Sequence, residues 1–127
     1  MAHVSLHHVA VNVDDLESAV AFYVGELGLT VREDRPELPV DGRWLNAGSG
    51  QIHLSLGTAA PDTGQHLALL IDDLDAAVAR LRDRGLEIST PVPIGTGRQS
   101  FLHDPAGNRV ELQQAAAAAG AAGPPAP

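Results

Sequence analysis

Residues 7–16 read HHVAVNVDDL and residues 65–74 read QHLALLIDDL, nearly the same stretch twice, each with a histidine in second place. Setting His8 over His66 aligns 8–20 with 66–78 and pairs Ala10 with Ala68, Asp14-Asp15 with Asp72-Asp73, Leu16 with Leu74, Ala19 with Ala77 and Val20 with Val78. With one residue dropped from the first copy, GLTV at 28–31 falls over GLEI at 85–88. An internal repeat of this length decides the architecture before any single element does. Half of a 127-residue chain is marginal for closing a core of its own, so the repeat implies two dependent modules in one domain, packed about an approximate twofold axis.

Both copies carry the same local plan. Val9, Val11 and Val13 alternate with His8, Ala10 and Asn12, and Leu67, Leu69 and Ile71 alternate with His66, Ala68 and Leu70, which is the period of a half-buried strand. The odd-numbered face packs and the histidine face looks away. Each Asp-Asp pair then starts a helix, because a capping carboxylate satisfies orphan N–H groups and a second acid suits the positive helix end. Leu16, Ala19, Val20, Tyr23, Val24 and Leu27 recur at helical spacing, as do Leu74, Ala77, Val78 and Leu81, and Gly28 and Gly85 stop the two helices. Three strands are expected after each helix, over 29–34, 43–47 and 51–56 in the first copy and 86–91, 98–103 and 109–113 in the second. The fold class is therefore α+β, two paired βαβββ modules, over about 5–57 and 64–114. The segment 57–64 is the junction, and 115–127, rich in Ala, Gly and Pro, reads as a disordered tail.

Composition narrows the function. Acidic residues outnumber basic ones 16 to 8, and no Lys/Arg cluster offers the footprint that a phosphate backbone needs, so nucleic acid is not an expected partner. With no cysteine, disulfide and thiolate chemistry are excluded. No stretch resembles a signal peptide or a membrane span, and the reading is a cytoplasmic, soluble protein.

Strand alternation also gives a chemical reading of the faces. In 51–56, Ile52, Leu54 and Leu56 pack and leave Gln51, His53 and Ser55 opposite; in 109–113, Val110 and Leu112 pack and leave Arg109, Glu111 and Gln113 opposite. The sheet surface away from the helices thus collects His8, His53, His66 and Glu111 as two symmetry-related pairs. Three imidazoles and a carboxylate suit one divalent ion, Zn, Ni, Fe, Mn or Co, without choosing among them. His8, His66 and Glu111 alone would make a two-His, one-carboxylate face, so whether His53 joins them stays open.

His3, His7 and His103 gain no support from the repeat, and His7, which shares its position with Gln65, reads as structural. Capping explains the Asp-Asp pairs better than acid/base work does. Arg43 and Arg98 each follow a glycine in matching strands. Arg98 is the candidate for holding an anionic group of a substrate, and Trp44, the only tryptophan, for walling its cavity.

Taken together, the HHVAVNVDDL opening, GQHLALLIDDLDAAVARLRDRG and the closing FLHDPAGNRVEL resemble the vicinal oxygen chelate superfamily, the group of glyoxalases, bleomycin-resistance proteins and ring-cleaving dioxygenases, over about residues 5–114. The resemblance implies a cup-shaped mixed sheet with helices outside, a divalent metal at its base and a homodimer. It implies ligands from the first and last strand of each module, which fall on His8, His53, His66 and Glu111. The activity it implies is a glyoxalase-like lyase or isomerase acting on a small, metal-chelating, oxygenated metabolite, with Glu111 as ligand and proton acceptor. His53 stands where glyoxalases commonly carry a carboxylate, which disfavours glutathione-hemithioacetal chemistry. The alternatives are a drug-binding protein of the bleomycin-resistance kind, a ring-cleaving Fe(II) dioxygenase and a fosfomycin-modifying enzyme. The chain is shorter than typical dioxygenases, and no anion-binding set beyond Arg43 and Arg98 is found for the last.

Overall fold

The computed structural model describes residues 2–116, so the tail expected over 115–127 lies, from 117 on, outside the described residues. The element order is β1 (His8–Val13), α1 (Leu16–Val20), β2 (Thr30–Val31), β3 (Gly42–Ala47), β4 (Gly50–Leu56), β5 (Leu67–Leu70), α2 (Leu74–Asp83), β6 (Val92–Ile94), β7 (Gly97–His103) and β8 (Arg109–Gln114). This is the α+β fold of two βαβββ modules that the repeat predicts. One sheet has the order β1-β4-β3-β2 and the other β5-β8-β7-β6, the same order in repeat-equivalent strands. Among the described residues two compact units form, one from 2–67 together with 103–109, the other from 68–102 together with 110–116. Among the described residues no helix is long and apolar enough to cross a membrane.

Both helices begin where the Asp-Asp pairs predict. Asp15 and Asp73 are extended N-caps whose side chains accept from Ser18 N and Ala76 N, and each is the second acid of its pair. Gly28 and Gly85 take positive φ, +83° and +87°, and end the helical segments in the left-handed conformation. What lies between them differs. The first copy holds one residue more between Val20 and Gly28 than the second holds between Val78 and Gly85. The chain absorbs it as a π-helical turn, Ala21–Glu26, with Leu27 N donating to Phe22 O at 3.0 Å. α2 stays α-helical throughout.

The first unit buries Val13, Leu16, Ala19, Phe22, Tyr23, Leu45, Ile52 and Leu54 beneath α1 and its π turn. Burying a side chain of leucine size contributes about 1.5–3 kcal/mol, so these residues carry much of the unit's stability. Leu56, expected on this face, is 44% exposed, because it ends its strand beyond the reach of the helix. In the second unit Leu74, Val78 and Leu81 of α2 are buried, with Ile88, Leu102, Val110 and Leu112.

Two strands differ from expectation. The first, expected over 29–34, is only Thr30–Val31, paired with Asn46 and Leu45. The stretch 86–91 is not a strand; Ser89 N donates to Phe101 O, and the ladder forms later, at Val92–Ile94 against Gly97–Gln99. Apolar Leu86 and Ile88 gave the strand signal, but of this stretch only Ile88 is buried. Gly42 and Gly97, equivalent in the repeat, sit where a Cβ would collide with the carbonyl oxygens of Leu54 and Gln114, which lets the neighbouring strands approach.

One buried polar contact ties the π turn to the loop before β8. Tyr23, fully buried, donates its hydroxyl to Asp104 Oδ2 at 2.7 Å. Burial first, then the charge of Asp104, push the phenol far above the ordinary tyrosine range, so it remains a donor. Asp104 also accepts from the N–H groups of Ala106 and Asn108 and from Asn108 Nδ2, closing the loop 104–108. Removing the hydroxyl with Tyr23→Phe is expected to cost about 1–3 kcal/mol, since a buried carboxylate loses a donor. The exposed cap change Asp73→Ala should cost about 1 kcal/mol. Urea unfolding of the two variants measures both, and an unchanged stability in Tyr23→Phe would refute the buried role of its hydroxyl.

Candidate functional site

The parallel register of β1 with β4 and the antiparallel register of β3 with β4 set Ala10 and Trp44 on either side of His53, and His8 beside Gln51. His8 is thus a diagonal neighbour of His53, within reach of a ring contact. The rings use it. Trp44 stacks on His53 with centroids 4.3 Å apart and planes at 9°, and His53 stacks on His8 at 3.9 Å and 12°. His7 meets the His8 ring edge-on at 5.1 Å, and one of the two Nδ1 atoms donates to the other at 2.9 Å. His7, read from the sequence as structural, is therefore part of the cluster.

His53 is 9% exposed although it points away from the core, because the flanking rings cover it. Burial, then the neighbouring His8, His7, Arg32 and Arg35, hold its imidazole below the ordinary histidine range, so the ring is neutral near pH 7. Its Nε2 lies 2.8 Å from Gln51 Oε1, which can only accept. The proton is then on Nε2 and the lone pair on Nδ1.

His66 is fixed by the same logic. Its Nδ1 lies 2.9 Å from the carbonyl oxygen of Gly64, which can only accept, so Nδ1 is the donor. The loop before it is clamped by Asp62. That carboxylate accepts from Gly64 N at 3.1 Å, meets His103 Nε2 at 2.8 Å and accepts from Arg109 Nε at 3.1 Å. Gln65 adds bonds to Thr63 and to the carbonyl of Pro61. His66 and Asp62 line a cleft of about 330 Å³ that also touches Val9–Asn12, Ala60, Gln65, Leu67 and Gly107–Arg109.

Glu111 belongs to the second unit. It is 6% exposed and accepts from Gln113 Nε2 at 3.1 Å. Arg98 makes a two-pronged ion pair with Asp75 in the first turn of α2, at 2.9 and 3.0 Å, and so serves that helix end. Arg43 is bound to Asp41 and to the carbonyl of Gly42.

Of the residues picked from the sequence, His8, His53 and Trp44 stand together, and His66 lines the cleft. Among the described residues no three His, Cys, Asp or Glu side chains gather closely enough to hold a metal ion. Strand parity predicts which face a side chain takes, but not whether neighbouring rings will stack. Gln51, His7, Asp62 and Asp104 were missed. A lone aspartate in a Pro/Gly-rich junction, like one opening a DPAGN turn, was the available signal for the last two.

Comparison with known proteins agrees with the geometry of the fold. Residues 5–112 match the model of the Glyoxalase/Bleomycin resistance protein/Dioxygenase superfamily. The mitochondrial methylmalonyl-CoA epimerase of Homo sapiens is 36% identical over 129 residues, covering 87% of this chain and 73% of that protein. The crystal structure of TnmS3, an antibiotic binding protein from Streptomyces sp. CB03234, superposes with a TM-score of 0.75 at 32% identity, over 91% of this chain and 99% of that one. A fosfomycin resistance protein of Listeria monocytogenes, FosX, complexed with Mn(II) and 1S,2S-dihydroxypropylphosphonic acid, shares the fold with a TM-score of 0.76 at 20% identity, over 90% and 94%.

Asp62 makes the loop's stability depend on pH. His103 first, then Gly64 N–H and Arg109, hold its carboxyl down at about 2, against an ordinary 3.8. A depressed carboxylate contributes stability that is fully present above its unfolded value and is lost as pH falls through the folded one. Unfolding monitored from pH 5 to pH 2 should therefore show a fall that Asp62→Asn flattens. An acid limb of unchanged steepness in that variant would mean that Asp62 clamps nothing.

Proposed function

The chain belongs to the Glyoxalase/Bleomycin resistance protein/Dioxygenase superfamily, and we propose that within it the protein is a divalent-metal-dependent lyase or isomerase. Its substrate would be a small oxygenated metabolite that chelates the metal, and its reaction a proton shift beside a carbonyl. The observation that carries this reading is the state of the donors. His53 and His66 are each tied through one ring nitrogen to an oxygen acceptor, which fixes the orientation of the ring. Glu111 is buried with an amide N–H on its carboxylate. Ligating histidines and carboxylates characteristically carry such outer partners. In donor chemistry, then, the residues fit a divalent ion.

His8, His53, His66 and Glu111 would hold it, in a homodimer, with ligands from one chain or from two copies. When bound, such an ion supplies positive charge where negative charge develops on a substrate oxygen. Glu111 takes the proton from the carbon beside the carbonyl and returns it; its burial keeps water from competing. Trp44 walls the site through its stack on His53. Arg98 is left out of the substrate's binding set, because Asp75 already holds both prongs of its guanidinium.

A second reading has its own support. Trp44, His53 and His8 form a ladder of parallel rings onto which a flat aromatic molecule would continue the stack. TnmS3, at 32% identity, is an antibiotic binding protein. Under this reading the histidines recognise and do not coordinate.

The two readings part on metal content. Elemental analysis of protein purified without chelator is expected to give about one divalent ion per chain, lost in His66→Ala and Glu111→Ala. As Trp44 is the only tryptophan, returning the metal to apo protein should change its emission by drawing His53 and His8 out of the stack. Absence of bound metal after reconstitution with Zn, Ni, Mn, Fe and Co would sink the enzyme reading in favour of the stacking one.

A further inference from the structure

The stack that covers His53 holds its ring in a plane but does not orient it. Trp44 and His8 lie nearly parallel to the ring, at 9° and 12°. A half-turn about Cβ–Cγ returns an imidazole to the same plane, exchanging Nδ1 with Cδ2 and Nε2 with Cε1, so stacking is indifferent to it. Each orientation also allows either neutral tautomer. One contact sorts these states, because Nε2 lies 2.8 Å from Gln51 Oε1, which can only accept. After the half-turn a carbon would stand there, and in the other tautomer a lone pair would.

Gln51 is dedicated to this contact. It stands two residues before His53 on β4 and so shares its face. Its cross-strand neighbours are His8 and Asn46, and both are engaged elsewhere. Asn46 accepts from Arg32 Nη1 at 2.8 Å and donates to Thr30 Oγ1 at 3.0 Å, and His8 shares its hydrogen bond with His7. Among the described residues nothing hydrogen-bonds His53 Nδ1, and that atom is not sealed inside the protein, so it stays open to an incoming group. The second unit uses the same device. Gln113, two residues after Glu111 on β8, donates Nε2 to its carboxylate at 3.1 Å. An imidazole N–H needs the oxygen of an amide and a carboxylate needs its nitrogen, and each residue has the suitable end beside it.

We infer that Gln51 is a positioning residue that sorts the His53 ring into one orientation and one tautomer, leaving Nδ1 as the atom offered to a divalent ion. The identity of that ion's site rests on the metal-dependent reading; the sorting itself needs no metal. With its one proton committed to Gln51, His53 acts as an electron-pair donor and not as an acid. Without Gln51 an ion would have to select the competent ring state from several and would meet a less basic nitrogen.

The test is long-range ¹H–¹⁵N NMR of the full chain labelled with ¹⁵N-histidine, at one alkaline pH, with and without Zn(II), the His53→Ala variant assigning the ring. Metal-free wild type is expected to show His53 with Nε2 protonated and Nδ1 bare, and Zn(II) to move Nδ1 while Nε2 keeps its proton. Gln51→Met keeps the length and removes the acceptor. It should mix the tautomers and weaken Zn(II) about tenfold or more, with the Trp44 emission of the metal-free protein unchanged. Gln51→Glu, which retains an acceptor oxygen, should show the single tautomer again. A proton on Nδ1 in wild type, a single unchanged tautomer in Gln51→Met, or mixed tautomers in Gln51→Glu would overturn the assignment. Should Gln51→Met fail to fold, wild type and Gln51→Glu decide the matter. If the tautomer follows Gln51 but no Zn(II) binds, the metal-dependent reading falls and the positioning role stands; if Zn(II) binds through Nε2, the positioning role falls and the metal-dependent reading stands.

Discussion

Everything in the first unit hangs on the parallel pairing of β1 with β4. Side chains alternate with period two, so the register His8↔Gln51, Ala10↔His53 and Val13↔Leu56 assigns each residue a face at once. It puts Val13 and Leu54 under the helix. It sets the His53 ring where Trp44 and His8 cover it from either side, and it leaves Ala10 lining the cleft. A slip of one residue would bury His8 and His53 in an apolar core and expose the valines. The core and the site are two consequences of one register, and neither changes without the other.

Much of this was legible in the sequence, because the signals were periodic and came twice. Strand faces, helix starts at Asp15 and Asp73, and helix stops at Gly28 and Gly85 follow from local chemistry that does not depend on packing. The extra residue in the first helix was visible as a gap in the alignment of the two copies. That it becomes a π turn was not, since a helix can lose a residue to its end as readily as hold it inside. The stretch 86–91 misled because apolar alternation also describes an irregular segment that buries only Ile88.

Strand parity put His8 and His53 on one face, where the structure stacks their rings, and it says nothing of rotamers. An imidazole beside a tryptophan and another imidazole has two ways to satisfy itself, stacking or coordination, and the choice depends on what else is bound. Neutral rings stack; neutral rings also ligate. The lowered protonation of His53 serves either state, and the residue has no need to titrate on passing between them.

Asp62 and Asp104 make a different kind of argument. Each is an aspartate in a loop, each gathers several donors, and neither belongs to a repeat-equivalent pair. Asp104 holds the turn that delivers the chain to β8, five residues before Arg109, and it is itself held by Tyr23 on the π turn. Asp62 takes hold of Arg109, the first residue of β8, and through Gly64 steadies the carbonyl that orients His66. The repeat supplies two similar halves with donors at matching positions. These unmatched carboxylates then fix the loops that begin β5 and β8, so the symmetry of the modules ends where the chemistry of the site begins.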